Sequence, residues 1–357
     1  MKLKIGFAST DWSQSLVDSN GMNVPGGANW VRLQQVRQHL DAISVTGWLI
    51  WSDVKGFGIS NGRGDVVFDF DVIVMQRLMF KNLIVNLEQN KLLNPKTIIV
   101  NDLDDWYWGL DPRNSAYSMC QAENSPDENI DHYKEILLLS DAVTVSTPFL
   151  ANKVANDFGH PNVHIIENGV SVSDFTPRQW GGKQPTIGWV GSTNHRSGDL
   201  EELFGIFSNK FKFHHSGSYA NSNAFADALG LDTKRVARSP MREPWQYAKL
   251  SFCFDIGLAP LSDIEFNHAK SWIKAIEYAA SGIPFVASPR PEYVRLVEQL
   301  GVGRIAHNPH EWLAHVNELH DHDIRRKEGI ALREKVSELF DVKIMADRWM
   351  SVISSLL

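Results

Sequence analysis

Short apolar runs alternate along the chain with longer segments in which apolar residues recur at helical spacing. This alternation is typical of parallel β-sheets covered by helices. In the first half the apolar runs predict six strands, at Lys2–Ala8, Val45–Trp51, Val72–Gln76, Thr97–Val100, Ala142–Ser146 and Val163–Ile166. The segments between them predict four helices, at Asn29–Leu40, Lys81–Leu93, Ile130–Leu139 and Pro148–Phe158. Together these elements predict one doubly wound α/β domain.

The same alternation restarts after a polar, irregular segment at residues 171–185, whose prolines and glycines predict a linker. Six more strands are predicted, at Thr186–Val190, Phe211–His214, Arg235–Ala237, Cys253–Ala259, Phe285–Ala287 and Arg304–Ala306. The stretch from Ile324 to Leu357 predicts two helices with a break at Phe340 and Asp341. It is longer than the second domain needs for its own cover, so we expect its end to cross back onto the first domain.

Length and topology together predict where a ligand binds. A chain of 357 residues is long enough for two domains at ~150 residues each. Ligands of open α/β sheets bind at the carboxyl ends of the strands. We therefore expect two Rossmann-like sheets facing each other across a cleft, with the functional residues in the loops that follow strands.

Composition narrows the class of protein. The chain has 35 Lys and Arg against 42 Asp and Glu, a net charge of −7, and no basic stripe, which argues against a nucleic-acid partner. Cys120 and Cys253 are the only cysteines, so neither a disulfide framework nor a structural zinc site is expected. The N-terminus turns polar by Thr10, and no apolar run approaches the ~18 residues of a membrane span. We expect a cytoplasmic protein without an integral membrane segment.

The most informative segment is residues 266–288, which follows an apolar strand, opens a helix and leads into another strand. Lys270 and Ser271, together with the free amides of a first helical turn, predict an anion site. Glu277 lies two turns further on the same face and is placed to bind a ribose diol. The alternative is that Lys270 and Lys274 are solvated and that Glu277 pairs with Lys274.

Two loops of the first domain are further candidates. Gly26 and Gly27 precede a helix and would let the backbone approach a donor phosphate or an acceptor, although an ordinary turn explains them equally well. Residues 101–109 place carboxylates beside aromatic rings, which suits an acceptor sugar. The candidates there are Asp102, Asp104, Asp105, Trp106 and Trp108. The alternative is helix capping by one Asp.

Other signals in the sequence are weaker. Arg77 follows the third strand and is either a contact to acceptor or phosphate or a plain surface residue. The Asp-x-Asp triplets at residues 69–71 and 102–104 arise often by chance, so they predict no metal site. His310 and His315 are separated by five positions, which turns them to different faces of a helix and rules out the zinc-protease motif.

Segment 266–288 resembles retaining GT-B glycosyltransferases of the family 4 type when it is taken together with several other parts of the chain. These are Gly191 to Arg196, Ser140 to Leu150, Ile166 to Val170, Asp255 to Leu261, and Gly282 to Pro284. The resemblance implies a GT-B fold and a metal-independent enzyme that moves a hexosyl group from a UDP- or GDP-sugar to an acceptor hydroxyl with retention. The acceptor would be a glycan, a protein or a small molecule, and no cofactor is implied.

The resemblance also implies a division of labour. Residues 1–170 would form the acceptor-side domain, 171–185 a hinge, 186–340 the domain that binds the nucleotide sugar, and 341–357 a helix on the first domain. Glu277 would bind the ribose, and Lys270 would hold the leaving diphosphate. Asp102 and Asp104 are the candidates for a base. The other implied donor residues are Gly26, Gly27, Gly191, Ser192, His195, Arg196, Pro240, Met241 and Ser271.

The chain departs from the family's pattern in two respects. The first member of the family's acidic pair falls on Ala269, and no lysine follows Arg196 nearby, so Lys270 is expected to substitute for that lysine. Without this acid, the resemblance does not define the identity of the donor sugar. Two alternatives to a transferase therefore remain: an epimerase or hydrolase of the same fold, and an inactive module that binds nucleotide sugars or glycans.

Overall fold

A computed structural model describes most of the chain. The described residues are 2–17, 23–61, 64–179, 184–193, 198–208, 210–218, 222–250 and 252–357. They form two compact units. Unit 1 comprises residues 1–112, 116–168 and 342–357, and unit 2 comprises residues 113–115 and 169–341.

The strands are β1 (Lys4–Ser9), β2 (Trp12–Val17), β3 (Asn23–Pro25), β4 (Ile43–Ser52), β5 (Gly56–Ser60), β6 (Val66–Val67), β7 (Val72–Gln76), β8 (Ile98–Leu103), β9 (Ala142–Val145), β10 (Val163–Ile165), β11 (Thr186–Val190), β12 (Lys212–Ser218), β13 (Val236–Pro240), β14 (Ile256–Ala259), β15 (Phe285–Ala287) and β16 (Arg304–Ile305). All twelve strands expected from the sequence are among them, with ends shifted by up to a few residues.

The helices are α1 (Gly27–Asn29), α2 (Gln35–Arg37), α3 (Lys81–Leu93), α4 (Ile130–Leu139), α5 (Pro148–Phe158), α6 (Ala224–Leu229), α7 (Pro244–Leu250), α8 (Glu265–His268), α9 (Ile273–Ala280), α10 (Pro291–Leu300), α11 (Pro309–Glu318), α12 (His322–Leu339) and α13 (Val342–Leu356). A π-helical turn, Trp30–Gln34, joins α1 to α2. Short 3-10 turns lie at Tyr107–Gly109, Ser118–Cys120, Val172–Asp174, Glu201–Leu203 and Thr233–Arg235.

Unit 1 is built on an eight-stranded sheet in the order β10-β9-β8-β7-β1-β4-β5-β6. The first six strands are parallel, and β5 and β6 extend the sheet in antiparallel fashion. This edge was not predicted because β5 is short and glycine-rich, with Phe57 and Ile59 as its only apolar residues, and β6 has only two residues. Pairing is close there: a Cβ on Gly47 would lie 1.9 Å from the Ser60 carbonyl oxygen.

Unit 2 is built on a six-stranded parallel sheet in the order β13-β12-β11-β14-β15-β16. In chain order this is 3-2-1-4-5-6, the strand order of dinucleotide-binding Rossmann domains. Its core contains Trp189, Phe213, Phe225 and Ile256, each at most 1% exposed. The order reverses between β11 and β14, so the carboxyl ends of these two strands define the switch point at which such sheets bind ligands.

The C-terminal helix α13 belongs to unit 1, as the sequence predicted, and packs against α2. Its buried face includes Met345, Trp349 and Ile353. The break before it lies at Phe340 and Asp341, also as predicted. The two ends of the Gly169–Asp341 segment of unit 2 lie side by side, since the Val170 amide donates to the Phe340 carbonyl at 3.0 Å.

Candidate functional site

Glycines let the ends of β11 and β12 approach each other at the switch point of unit 2. Gly191 follows β11 directly and has φ 150°. Gly217 has φ 99°, and a Cβ there would lie 2.8 Å from the Gly191 carbonyl oxygen. That oxygen also contacts His215 Nε2 at 2.9 Å. The backbone that leads into Ser192, the next predicted donor residue, is therefore held in place by the contacts of Gly191.

Helix α9 reaches the same edge of the sheet through two side chains. The Lys274 ammonium donates to the Val190 carbonyl and lies 4.9 Å from the centre of the Trp189 ring. The Tyr278 hydroxyl accepts from the Val190 amide at 3.3 Å and donates to the Leu258 carbonyl at 2.9 Å. These contacts fix α9 against the ends of β11 and β14 and bring a cation to the switch point.

Glu277 lies on α9 between these two residues and is buried. Its Oε2 accepts a hydrogen bond from the Tyr247 hydroxyl at 2.7 Å. Burial raises the pKa of Glu277 to about 7, although Lys274 and the bond from Tyr247 oppose the rise. Glu277 is thus a buried carboxyl that titrates near neutral pH beside the switch point, the kind of perturbed group that marks functional sites.

The sequence predicted Lys270 and Ser271 in the first turn of the helix, but the structure places both residues before it. Helix α9 begins at Ile273, so both residues belong to the link between α8 and α9. Trp272 directly precedes α9 with a non-helical ψ of 10°, and its buried ring packs on Phe340 at 4.8 Å. The Lys270 ammonium lies 4.5 Å from the centre of the Phe266 ring.

The loops that follow β11 and β14 are tied together by a buried carboxylate. Asp199 Oδ1 accepts from the amide and the hydroxyl of Ser262, both at 3.0 Å, and from Asn267 Nδ2 at 2.8 Å. Asp199 follows the segment that contains His195 and Arg196, both of which lie outside the described residues. This anchor was not found from the sequence because its partners are more than sixty positions away.

Pro240 and Met241, two further predicted donor residues, lie at the same edge of the unit 2 sheet. Pro240 ends β13, and Met241 follows it with 50% of its surface exposed. They thus occupy the loop after the strand, where the resemblance expects contact with the base. Tyr247 and Lys274, which the sequence analysis did not propose as donor residues, join this set through their contacts to Glu277 and β11.

In unit 1 the glycine loop is held by Asp11. Its carboxylate accepts the Asn29 amide at 2.9 Å, and a Cβ on Gly26 would lie 2.1 Å from Asp11 Oδ1. Gly26 is therefore required for this close approach, whereas a Cβ on Gly27 would meet no atom within 4 Å. The Asp11 carboxylate thus occupies the position at the start of α1 where a ligand was expected from the sequence.

Arg77 is the centre of an ionic cluster at the carboxyl edge of the same sheet. Its guanidinium lies 3.3 Å from Asp11 and 3.0 Å from Asp104, and it also donates to the Tyr107 hydroxyl. Its backbone has φ 59°, an unusual value for a residue other than glycine that points to a local constraint. Burial opposes its charge, but Asp104, Tyr107 and Asp11 outweigh burial and raise the pKa of Arg77.

Asp102 has a different environment from Asp104. Its side chain is fully buried and receives Arg32 Nη2 at 2.6 Å, Arg32 Nε at 3.1 Å and the Thr144 hydroxyl at 2.8 Å. Asp104 keeps 13% of its side chain exposed. Each acid of this Asp-x-Asp is thus paired with an arginine. Across the described residues, no group of three or more His, Cys, Asp or Glu side chains could hold a metal ion.

The aromatic residues predicted for an acceptor, Trp106 and Trp108, pack against α5. Trp106 is 8% exposed, lies edge-on to Phe149 at 5.6 Å and carries the Lys153 ammonium 4.2 Å above its ring. The Trp108 ring centre lies 4.6 Å from that of Phe158, with the ring planes tilted by 53°. Asp105 accepts a hydrogen bond from the Trp106 amide at 3.1 Å.

Comparison with known proteins adds to this geometry. No protein-family model matches the chain, and no curated protein matches it in sequence. Sucrose-phosphate synthase from Thermosynechococcus elongatus is similar with a TM-score of 0.63 and 13% identity, over 99% of each chain. Anabaena HepE, solved with UDP and glucose, gives 0.60 and 14% over 99% of this chain and 100% of that chain. A glycosyltransferase from Rickettsia africae gives 0.58 and 12%, over 99% and 98%.

These similarities establish the fold. The protein has a GT-B, glycosyltransferase-like fold made of two Rossmann-like units, as the sequence predicted. Within the described part of the chain, none of the helices is both long and apolar enough to cross a bilayer.

Proposed function

We propose that the protein is a retaining, metal-independent glycosyltransferase that uses a UDP- or GDP-sugar. The observation that carries the proposal is the switch point of unit 2, where α9 places Lys274 and the buried Glu277 beside the ends of β11 and β14. HepE, which is similar in fold, was solved with UDP and glucose. We assign donor binding to unit 2 and acceptor binding to unit 1.

In unit 2 each part of the donor would meet a suitable group. Glu277 would accept hydrogen bonds from the ribose diol, and the loop at Gly191 and Ser192 would line the diphosphate. Lys270 and Lys274 would neutralise the charge that grows on the diphosphate as the sugar leaves. His195, Arg196 and Ser271 would complete this phosphate site, and Pro240 and Met241 would contact the base.

The transfer breaks the bond from the anomeric carbon to the diphosphate and forms a bond from that carbon to the acceptor oxygen. The departing phosphate oxygen takes the acceptor proton on the same face of the sugar, which gives retention without a separate protein base. Asp104, rather than Asp102, would contact the acceptor hydroxyl, because Asp102 is buried under Arg32 and Thr144. Both acids of this Asp-x-Asp are held by arginines, which supports a reaction without metal.

Turnover with a panel of UDP- and GDP-sugars tests the proposal. We expect one donor to be consumed, and proton NMR of the first product formed to show the anomeric configuration of the donor sugar. An inverted product would contradict retention. Formation of an epimer, or of free sugar whatever acceptor is supplied, would instead support the epimerase or hydrolase alternative. Tight binding without any turnover would support a binding module, an outcome that Ala269 makes worth testing.

Removal of divalent cations tests the second part of the proposal. We expect the rate after dialysis against EDTA to equal the untreated rate, because lysine side chains, rather than a bound cation, neutralise the diphosphate. A loss of activity that Mg²⁺ or Mn²⁺ restores would contradict a metal-independent reaction.

Replacement of Lys270 with methionine should weaken donor binding. Methionine keeps the packing of the stem near Phe266 and removes the charge beside the diphosphate, so we expect the Kd for UDP or GDP to rise about tenfold or more, as for a lost charged hydrogen bond. Isothermal titration calorimetry measures the change. Lys249→Met, an exposed lysine on α7 of the same unit, is the control. Equal affinity in the two variants would remove Lys270 from the phosphate site.

A further inference from the structure

Two tryptophans at the carboxyl edge of the unit 1 sheet have no role in the function proposed above. Trp12 begins β2, three residues after the end of β1, and Trp48 lies on β4. Their ring centres are 6.1 Å apart and the ring planes are tilted by 43°. Trp48 keeps 36% of its surface exposed.

The register of β4 explains where Trp48 points. Ala8 pairs with Gly47, so β4 continues past the end of β1 at the carboxyl edge. Val45, Leu49 and Trp51 pack against the core of unit 1, and side chains alternate between the faces of a strand. Trp48 therefore lies on the opposite face.

Trp12 is held in place by the backbone. Its indole Nε1 donates to the Ser9 carbonyl at 2.8 Å, and its amide donates to the Thr10 carbonyl at 2.9 Å. The polar atom of this ring is thus satisfied, and the aromatic faces remain to contact Trp48 or a ligand. An indole fixed in this way loses little conformational entropy when something stacks on it.

The ionic cluster around Arg77 continues directly from this pair. Asp11 immediately precedes Trp12, and its carboxylate lies 3.3 Å from the Arg77 guanidinium, which also binds Asp104. Two carboxylates against one guanidinium leave a net charge of −1. Such a surface does not favour an anionic ligand, but its carboxylate oxygens readily accept hydrogen bonds from hydroxyl groups.

We propose that Trp12 and Trp48 form a platform for a pyranose ring and that the acceptor of the reaction is an uncharged saccharide. The apolar C–H face of the sugar stacks on the indoles, and its hydroxyls donate to Asp11 and Asp104. An aromatic face beside hydroxyl acceptors is complementary to a sugar, whereas a lipid chain or an acidic peptide would leave one half of the site unmatched. The inference depends on the proposed function only in naming the saccharide as acceptor.

This placement also revises the expected aromatic contact. Trp106 and Trp108 were the aromatic residues predicted from the sequence to contact an acceptor sugar. Those rings are engaged by Phe149 and Phe158, whereas Trp12 pairs with Trp48 and directly follows Asp11 of the ionic cluster. The pair could not be found from the sequence because its members lie 36 positions apart and meet only through the β1–β4 register.

Saturation-transfer NMR on the full chain tests the platform. The probes are methyl pyranosides of glucose, galactose, mannose and N-acetylglucosamine, together with cellobiose, and glycerol serves as a polyol without a ring. We expect at least one saccharide to bind and the Kd for it to rise about tenfold in Trp48→Leu, a loss of about 1.4 kcal/mol. Leucine keeps an apolar side chain on the strand but removes the aromatic face.

Trp51→Leu is the matched control, since Trp51 is on the same strand but faces the core, and it should bind the saccharide as the wild type does. Three outcomes would overturn the platform: no saccharide binds to the wild type, the two variants are affected equally, or glycerol binds as well as the saccharides. UDP and GDP titrations of the same samples keep the two ideas separate. Saccharide binding without nucleotide binding would contradict the transferase and leave the platform intact.

Discussion

Glu277→Ala is expected to lower kcat/KM for the nucleotide-sugar donor by about 100-fold, because it removes a carboxylate that would accept two ribose hydroxyls. Each hydrogen bond to a charged acceptor contributes about 1.5–3 kcal/mol. The side chain is buried, so bulk water cannot fully replace the hydrogen bonds that the carboxylate would make. Glu277→Gln keeps the shape and one acceptor oxygen, and we expect it to fall between alanine and the wild type.

The pH dependence of the same residue provides a second test. The pKa of Glu277 is raised to about 7 by burial, so donor affinity should rise as pH increases through 7 and the carboxylate forms. Stability should change in the opposite direction. The folded state binds this proton more tightly than the unfolded state, so the stabilisation is complete below the ordinary pKa of 4.5 and is lost as pH rises through about 7.

Thermal melting and nucleotide titration between pH 5 and 8 measure both effects, and Glu277→Gln should abolish both. Tyr247→Phe is the control. It removes the hydrogen bond to Glu277 Oε2 but keeps the carboxylate, so a smaller, few-fold loss of donor affinity is expected. An unchanged donor Kd in Glu277→Ala would show that the ribose binds elsewhere.

The second large effect concerns stability. Arg32→Met should destabilise unit 1 by about 3–5 kcal/mol, because it leaves the Asp102 carboxylate buried without its counter-charge. The two side chains are 2% and 0% exposed, and Arg32 also donates to the Ile166 carbonyl and to Asn168 Oδ1. Urea unfolding followed by circular dichroism measures the loss, and hydrogen exchange at the β8 amides assigns it to unit 1.

Two further variants show whether the buried charge is the cause. Arg32→Met combined with Asp102→Asn removes both charges, so it should recover a large part of the lost stability. Lys2 and Asp41 form an equally short ion pair at 2.7 Å, but their side chains are 63% and 85% exposed. Lys2→Met should therefore leave the unfolding midpoint unchanged. An equal loss from Lys2→Met and Arg32→Met would contradict the role of burial.

The sequence predicted most of the fold because buried parallel strands are short apolar runs that need no knowledge of their neighbours. Val72–Gln76 and Phe285–Ala287 were predicted with the bounds that the structure shows. The predicted start of α9 was wrong. Trp272, just before the helix, packs on Phe340, and a contact so far along the chain cannot be read from the local pattern. Local pattern fixes the type of an element, whereas distant contacts fix where it ends.

The candidate site was predictable only in part, for the same reason. Glu277, Lys270 and Gly191 could be proposed from the sequence because they belong to the segments after β14 and β11, and the strand order brings the starts of such segments to one edge. Arg32 was not proposed from the sequence. It lies in a π-helical turn, and its partner, the Asp102 carboxylate, is 70 positions away. Asp11 was missed as well, because only the folded loop shows that its carboxylate lies where a Cβ of Gly26 would be.

The position of helix α13 determines the order in which the two units can be completed. Synthesis runs from the N-terminus, and every residue of unit 2 has been made by Asp341, whereas unit 1 still lacks Val342–Leu357. Until that stretch is added, the face that receives Trp349 and Ile353 stays open. The unit that begins the chain is therefore the last to close its core, and a chain that stops at Asp341 keeps all of unit 2 but leaves unit 1 with an exposed apolar surface.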